Sequence, residues 1–577
     1  GPGGEPVTSA TIYLRTGDQA RLKLYTDKDG SFTTSAQPGA YTASIVDMGR
    51  ETIFRELELA AGAEKSFDVQ MPAASKIRFN VRLYDGSDTP CKVQFVINEE
   101  DPDVPKLVLG PENRAHGCAN QYHSETGQFE VAVPPGNYMI IITRGIEFGA
   151  FSRAIEVTAG ETTALPATLV RQVQTPGWVS TDFHNHSTPS GDNTCGTDDR
   201  LINLAAEHIE FAPTTEHNRL FDWGPHLKRL GLDDEIATVP GLELTGSGAH
   251  INAFPFKPDP TKQDSGAPMW SKDPRLTALT LRNHQGAEPD RWIHLNHPDL
   301  AENFADADGD GRVDGGYVNL GKMIDAMETQ NGNYQNILHD NPYIISKKIG
   351  PKGRVTHARE FIWLQLLNQG HRIWAIAVAD AHKVFDNGVG GWRTYVRSST
   401  DDPAEIDWRE MSRNAKSGQM IISNGPYLEV IAGNNTLAGG ELRSTGSLKL
   451  KVKVQCADWI NIDRVQILVN GRQRKDLNFT RESHPEWFGL GTVKFDRVLD
   501  VPLSQDSHII AVAYGHDSNL LIGYGNSPQS NMQPCAYNNP IFVDVDGGGF
   551  TPSRDTLGYA LPVKGQTVDQ IRELLKD

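Results

Sequence analysis

The sequence predicts a multi-domain chain of α/β plus all-β class, a barrel-like α/β domain flanked by β-sandwich modules. Three observations carry that expectation. At 577 residues the chain is too long for one hydrophobic core. Residues 5–172 and 427–550 alternate apolar and polar positions in short runs parted by turn signals, the pattern of antiparallel sandwiches. Between them, apolar runs that end in polar residues alternate with helical-period stretches, the pattern of α/β structure.

The first module, 5–75, contains Ala-Thr-Ile-Tyr-Leu, Arg-Leu-Lys-Leu-Tyr and Tyr-Thr-Ala-Ser-Ile, separated by Asp29-Gly30 and Pro38-Gly39. The second, 76–172, repeats its phrases. Asp-Gly-Ser-Phe at 29–32 returns as Thr-Gly-Gln-Phe at 126–129, and Gln-Pro-Gly-Ala-Tyr at 37–41 returns as Pro-Pro-Gly-Asn-Tyr at 134–138. This repeat resembles the transthyretin-like or carboxypeptidase-regulatory-like module. His116 and His123 flank Cys118 and are expected to be loop residues rather than a metal site.

In the third segment, 177–426, seven runs are expected to be strands: Trp178–Thr181, Phe211–Thr214, Thr238–Leu242, Ile251–Phe254, Trp292–Leu295, Met323–Met327 and Ile373–Val378. Leu201, Leu204, Ala205 and His208 share one helical face, and Phe361, Leu364, Leu367 and Asn368 another. Residues 427–550, with Leu-Lys-Leu-Lys-Val-Lys-Val at 448–454, predict a C-terminal sandwich. The tail, 551–577, carries a short helical pattern through Val568, Ile571, Leu574 and Leu575 that either docks or frays.

The net charge of −18 excludes a nucleic-acid partner, which needs a basic face. No apolar run is long enough for a membrane-spanning helix. The opening Gly-Pro-Gly-Gly reads as a trimmed mature end or an expression scar. Five cysteines allow Cys91–Cys118 and Cys456–Cys535 pairing with Cys195 left over, or five buried thiols. The β-rich modules suggest a secreted or periplasmic home.

Thirteen of the 18 histidines lie between His184 and His382, mostly where strands are expected to end. In barrels of parallel strands, functional side chains stand at the C-terminal strand ends. His184 and His186 follow the first run and, two apart, face one side. Asp192 follows in the loop, His217 ends the second run and Glu243 the third. His250 opens the fourth, His297 ends the fifth, and Asp380 and His382 end the last. That is too many ligands for one tetrahedral ion and suits two or three divalent ions such as zinc, manganese or iron. Clustered cations bring a bound water toward neutrality and clamp a phosphoryl or carbonyl oxygen, so metal-assisted hydrolysis of a small-molecule or ester substrate is the expected chemistry.

The motifs in order are Asp-Phe-His-Asn-His-Ser-x-x-Ser-x-Asp at 182–192, Thr-Glu-His-Asn at 215–218, Gly-Leu-Glu-Leu-Thr at 241–245, His297-Pro298 and Asp-Ala-His at 380–382. This set resembles the polymerase and histidinol phosphatase (PHP) superfamily of metallohydrolases. Gly-Ala-His-Ile-Asn-Ala-Phe-Pro at 248–255, Met-Glu-Thr-Gln-Asn-Gly at 327–332 and Gly-Gly-Trp-Arg-Thr-Tyr-Val at 390–396 are similar to its CehA/McbA branch. The resemblance implies a distorted seven-stranded β/α barrel. It implies one metal on His184, His186, Glu243 and Asp380, a second on Glu243, His250 and His297, and a third on Asp192, His217 and His382. Glu243, Asp380, His217 and Arg393 would carry catalysis. Glu216 stands where the family usually has Asp, which bears on how His217 is oriented.

Glu328 and Asn331 are candidate pocket residues. Arg219, Lys383 and Arg393 are candidates for holding an anionic group, or are salt-bridge partners. Asp306, Asp308, Asp310, Arg312 and Asp314 occupy the first nine positions of an EF-hand-like loop, a candidate calcium site although Tyr317 replaces the closing Glu. Asp544-Val-Asp546-Gly is a shorter echo. The expected function is hydrolysis of a phosphoester or of a carbamate or amide. The competing expectation is a non-catalytic cell-surface or carbohydrate-binding protein that retains a metal-site scaffold.

Overall fold

The computed structural model describes the chain except residues 97–106, 248, 299–304, 307–308, 312–319, 332–336, 339–358, 386–387, 526, 559–564 and 575–577. It is a mixed α/β protein in which sheets dominate.

The first module holds one four-stranded antiparallel sheet, ordered Gln19–Tyr25, Thr11–Thr16, Gly39–Val46, Ile53–Leu59. Alternation puts Ile12, Leu14, Ala43 and Ile45 on the buried face. Phe32, Phe67 and Val69, from segments outside the strands, cover that face. A second sheet, expected for a sandwich, is absent among the described residues. The second module has two sheets. Phe151–Val157, Gly136–Thr143, Cys91–Val96 and Gln121–Ser124 form one; Thr162–Leu169, Lys76–Leu83 and Gln128–Ala132 form the other. Phe79, Val93, Phe95, Ile140 and Ile142 fill the space between. The sequence repeat has a structural counterpart, because the Tyr41 hydroxyl donates to the Gln37 carbonyl at 2.8 Å and the Tyr138 hydroxyl to the Pro134 carbonyl at 2.6 Å.

The segment 177–426 contributes to two sheets rather than one barrel. A five-stranded sheet runs Leu242–Thr245, His250–Phe254, Trp292–Leu295, Ala326–Asn331, Trp374–Val378, antiparallel at its first two joins and parallel at the last two. A nine-stranded sheet begins Trp178–Thr181, Arg393–Arg397, Met420–Ser423 and continues into Cys535–Asn538, Ser507–Tyr514, Arg464–Val469 and Arg472–Thr480. Hydrogen bonding therefore crosses residue 426 without a break. Tyr427–Ala432, Ser447–Gln455 and Val493–Pro502 form the facing sheet, with Leu448, Leu450, Val452 and Val454 buried.

No continuous ladder closes these runs into a barrel among the described residues; isolated parallel bridges, Thr181 to Phe211, Phe211 to Ala237, His217 to Glu243 and Asn185 to Ala381, link the five-stranded sheet to the Trp178–Thr181 strand. The expected strand Phe211–Thr214 is instead tied by single bridges, Thr181 to Phe211 and Phe211 to Ala237. The cause is chemical. Pro213 has no N–H, and side chains take up the neighbouring backbone groups. Glu210 accepts from Ser180 N at 2.7 Å, and Thr215 Oγ1 both accepts from Asn185 N and donates to Asn185 O. The third and sixth runs form their strands three to four residues later than expected, at Leu242–Thr245 and Ala326–Asn331.

Helix Thr197–Ala206 buries Leu201, Leu204 and Ala205 as expected, with Arg200 and Asn203 buried beside them. Helix Arg359–Gln369 is buried around most of its circumference, Ile362, Trp363 and Leu366 joining the expected face. The tail helix Val568–Leu574 docks, since Ile571 lies in the central core.

All five cysteines are free and buried. Of the two alternatives the sequence left open, the structure has the five buried thiols, since the members of each possible pair occupy different cores. Cys91 lies inside the second module while Cys118 packs with Cys195 and Val384, and Cys456 and Cys535 fall in separate clusters. No helix among the described residues is long and apolar enough to cross a membrane. Of the acidic loop, Asp308, Arg312 and Asp314 lie outside the described residues, and Asp306 Oδ2 accepts from Gly311 N at 3.0 Å. In the shorter echo, Asp544 closes its own turn by accepting from Gly547 N and Gly549 N.

Candidate metal centre

The centre is assembled where two chain segments meet just past their strands. Asp380 N donates to His184 O at 2.9 Å, and His186 N to Ala381 O at 3.2 Å, with Asn185 bridged to Ala381. Beneath them Asp182 Oδ1 accepts from His184 N and Ala379 N. Burial pushes the Asp182 carboxyl up to about 6. Asp380 (φ 51°) and His297 (φ 26°) both have left-handed backbones, a conformation that non-glycine residues adopt when their surroundings impose it.

Four donor atoms converge. His184 Nε2 and His186 Nε2 lie 2.9 Å apart, each 3.3 Å from Glu243 Oε2 and 3.2 Å from Asp380 Oδ1. Ligands ~2.0–2.1 Å from a tetrahedral ion stand about 3.3 Å from one another, so the spacing is that of one shared ion. The other Glu243 oxygen faces His250 Nδ1 at 2.9 Å and His297 Nε2 at 3.7 Å, placing this carboxylate between two positions. On the outer side Asp192 Oδ2 is 3.3 Å from His217 Nε2 and 3.6 Å from His382 Nε2. The His186 ring stacks within 4.2 Å of His217 and 4.4 Å of His382, so the outer group abuts the inner one. The nine sequence-derived ligands are thus brought together.

The donor set fits divalent ions by a second test. Glu243 Oε2 is buried among three imidazole nitrogens, the nearest being His217 Nδ1 at 2.8 Å, yet makes no hydrogen bond; buried His250 Nδ1 makes none either. Polar atoms crowded without hydrogen-bond geometry are costly unless a cation is their common partner. Electrostatics agree. Burial opposes charge on His184, but Asp380, Glu243 and Glu328 outweigh it and hold the imidazole protonated well above its usual range. His186, opposed by burial and favoured by Asp380 and Glu243, is raised to about 9. Burial likewise opposes ionisation of Asp380, and His184 and His186 bring it down to about 2. Protons thus stand where a cation would, and binding one releases them.

Surrounding side chains fix which nitrogen faces inward. Glu328 Oε1 takes His184 Nδ1 at 2.6 Å, leaving Nε2 for the centre, and Glu328 Oε2 accepts from His297 N at 2.6 Å. Glu328 is therefore a positioning residue rather than a pocket wall. Asn331's side chain lies outside the described residues. Glu216 acts on the orientation of the ligands, as its place beside His217 suggests. Its longer side chain accepts from Ser187 N at 2.9 Å and from the hydroxyls of Ser187 and Ser190. Ser190 Oγ, having donated there, is left to accept from His186 Nδ1 at 3.0 Å and His217 N at 3.2 Å. Glu216 orients two ligands through one serine.

Three positioning residues escaped the sequence reading. Asn296 Nδ2 donates to Glu243 Oε1 at 2.9 Å and to Asn252 Oδ1 at 2.8 Å. His294, fully buried, accepts from Trp292 Nε1 and faces Glu328 at 3.7 Å. The period-two spacing of His294 and Asn296 was the available signal. Arg200, fully buried, donates to the carbonyls of His186, Ala381 and Lys383, gripping both ligand segments.

The candidate cations are placed otherwise. Arg393 is fully buried and donates to the carbonyls of Gly390, Glu207 and His208, which satisfies the end of helix Thr197–Ala206. It is a structural brace and not a catalytic group. Arg219 pairs with Asp264 at 3.1 Å and Lys383 with Glu112 at 2.5 Å, both near the surface. The side chain of Asp192 is 57% exposed and that of His382 33%, whereas those of His184 and Glu243 are 0%, so the centre opens to solvent on its outer side. Trp270 packs at the end of the Glu243 strand. Its indole stands where a Cβ on Gly246 would lie, at 2.5 Å, one residue past Thr245, which meets His217 Nδ1 at 2.6 Å.

A second buried group, Glu147, His208 and Glu210, is locked around the guanidinium of Arg171. His208 Nδ1 lies 3.6 Å from Glu147 and Nε2 4.0 Å from Glu210. Arg171 fills the gap, 2.7 Å from Glu147 and 3.9 Å from Glu210. Burial, then Glu147, pushes Glu210 up to about 8, and burial lowers His208 to about 4. Glu210, raised from 4.5, contributes fully below about pH 4.5 and loses that contribution as pH climbs through 8. His208, depressed from 6.5, contributes above that pH and loses it as pH falls through 4. From pH 6.5 to 8 only the Glu210 effect operates within the lock. With metal saturating, Glu210→Gln should flatten the fall in melting temperature over that window relative to the parent chain. Parallel slopes in calorimetry would show that Glu210 is ionised throughout.

No family model matches the chain, and no curated protein matches it. Among solved structures, the Bacillus anthracis TIE protein aligns at 12% identity over 33% of this chain and 35% of its own, with a TM-score of 0.13. The Streptococcal ancillary pilin aligns at 10% identity over 32% of this chain and 68% of its own, with a TM-score of 0.16. Bacteroides uniformis β-glucuronidase 3 aligns at 10% identity over 83% of this chain and 60% of its own, with a TM-score of 0.15. The chain spans about a third of the length of the first of these, and at such TM-scores none lends it a fold or an activity.

Proposed function

We propose that this chain is a metal-dependent hydrolase with a PHP-type centre. The reading rests on one observation: His184 Nε2, His186 Nε2, Glu243 Oε2 and Asp380 Oδ1 stand at tetrahedral-ligand spacing, with the Glu243 oxygen buried and without a hydrogen bond. Mixed imidazole and carboxylate donors suit zinc, manganese or iron. Such ions, when bound, supply Lewis acidity and an activated water. The chain's part is to hold the donors. Glu328 sets the tautomer of His184, Ser190 that of His186, and Asn296 the rotamer of Glu243. The outer, exposed side admits substrate.

The side chains about that opening favour an uncharged acyl compound, a carbamate or amide, over a phosphoester. Phosphate recognition calls for cations directed at the site. Here Arg393 braces a helix end, and Arg219 and Lys383 are engaged by carboxylates. Trp270, packed against Gly246 one residue past the Thr245 that meets His217, offers apolar surface instead. The test is metal analysis of purified protein followed by turnover on matched carbamate, amide, phosphomonoester and phosphodiester substrates with manganese or zinc. Two or more equivalents of metal and preferential cleavage of the carbonyl compounds are expected. Preferential phosphoester cleavage would reverse the substrate assignment. Metal uptake below one equivalent would leave the non-catalytic binding role.

A further inference from the structure

The inner ligands are held by the body of the fold, but the outer pair, Asp192 and His382, ride on loops. Both loops are gripped by the same piece of the second module. Asn113 Nδ2 donates to the carbonyl of Thr194, two residues past Asp192, at 2.7 Å. The Glu112 carbonyl accepts from Val384 N, two residues past His382, and from Phe385 N, each at 2.9 Å. Glu112 Oε2 also pairs with Lys383 at 2.5 Å. Ala115 N donates to Asp199 Oδ1 at 2.8 Å, anchoring this piece to the helix that follows the Asp192 loop. Cys118 of the second module packs with Cys195, one residue past the gripped Thr194, and with the gripped Val384 itself.

From this symmetric grip we infer that residues 112–115 are a positioning strap for the outer metal position, holding the Asp192 and His382 loops at the separation an ion there needs. The inference rests on the metal-centre reading above. It gives the second module a task in the chemistry, since a module that merely rigidified the chain would have no reason to bond both ligand loops at the same distance from their ligands. Asn113 and Glu112 touch no ligand atom themselves. Their effect is on where Asp192 Oδ2 stands relative to His217 and His382, at present 3.3 and 3.6 Å. Partners of this kind are worth about 10–100-fold in metal affinity.

The test uses the full chain titrated with manganese, with bound metal counted after equilibration. Asn113→Asp exchanges a donor for a second acceptor against the Thr194 carbonyl, and Glu112→Lys sets like charge against Lys383. The double variant should weaken one equivalent by about 10–100-fold and leave the others as in the parent. His382→Ala marks which equivalent is the outer one. Adding Lys383→Glu to the Glu112→Lys single variant restores the ion pair and should recover affinity. Asn113→Asp alone, a near-isosteric change, gives the same readout if the double variant does not fold. Outer affinity unchanged in the strap variants, while His382→Ala loses its equivalent, overturns the strap alone. A parent chain that takes up no metal, or a His382→Ala variant that loses none, overturns the metal reading and the strap with it.

Discussion

Glu243→Gln should remove both the metal and the turnover while leaving the fold in place. The substitution keeps size and shape, so the buried position is not emptied. What it removes is the one negative charge common to two ligand groups. Glu243 Oε2 lies 3.3 Å from His184 and His186, and Oε1 lies 2.9 Å from His250. An amide nitrogen in place of either oxygen turns a donor atom into a hydrogen-bearing group facing imidazoles. The consequences differ with the ion present. Without metal, His184 loses one of the three carboxylates that raise its basicity. With metal, two positions are each short of a ligand. At least two equivalents should be lost or weakened by more than about 100-fold, beyond what second-layer changes produce. Metal counting, hydrolysis rate and circular dichroism on one preparation decide the matter. A variant that binds its full complement and turns over normally sinks the assignment of Glu243 as the shared ligand.

The ligands were legible because their signals are local. His184 with His186, and Asp380 with His382, declare themselves by spacing of two, and the strand-end position of each is set by apolar runs that the fold largely honours. The layer behind them was not legible. Glu328 reads as a pocket residue in sequence, but the ladder slips between Glu328 and Gln330, and the bulge aims its carboxylate at His184 instead. Arg393 lies beside a ligand motif in sequence and points at a helix end in space. The run at 211–214 is joined by isolated bridges instead of a ladder for a similar reason: Glu210, Thr215 and Asp182 spend their side chains on backbone groups that a ladder would have used, which apolar periodicity does not record. The two cysteine alternatives stayed open because proximity in sequence does not decide which of several cores a thiol enters. In each case the missing information is long-range packing.

Arg200→Met shows how far such unread residues control the centre. The helix carrying Arg200 would keep its apolar face, and methionine fills most of the space. The guanidinium, though, now donates to His186 O at 3.0 Å and to the carbonyls of Ala381 and Lys383 at 2.9 Å each, with Asn203 as a fourth partner. Removing it takes the donor from His186 O, Lys383 O and Asn203 Oδ1 around a fully buried site, while Ala381 O keeps His186 N; each acceptor left unpaired costs about 1–3 kcal/mol. The loss of a buried charge offsets part of that, so a net destabilisation of about 3–5 kcal/mol is the expected scale. Metal affinity should fall by about 10–100-fold in parallel, because His186 and His382 lose the tie that sets their separation. Arg200→Lys separates the two effects. Lysine keeps the charge but offers one point of contact, where the forked guanidinium reaches both segments at once. It should recover part of the melting temperature and little of the metal affinity. If Arg200→Met melts and binds metal as the parent does, the two ligand segments are held by their own backbone bonds, Asp380 N to His184 O and His186 N to Ala381 O, and the clamp is superfluous.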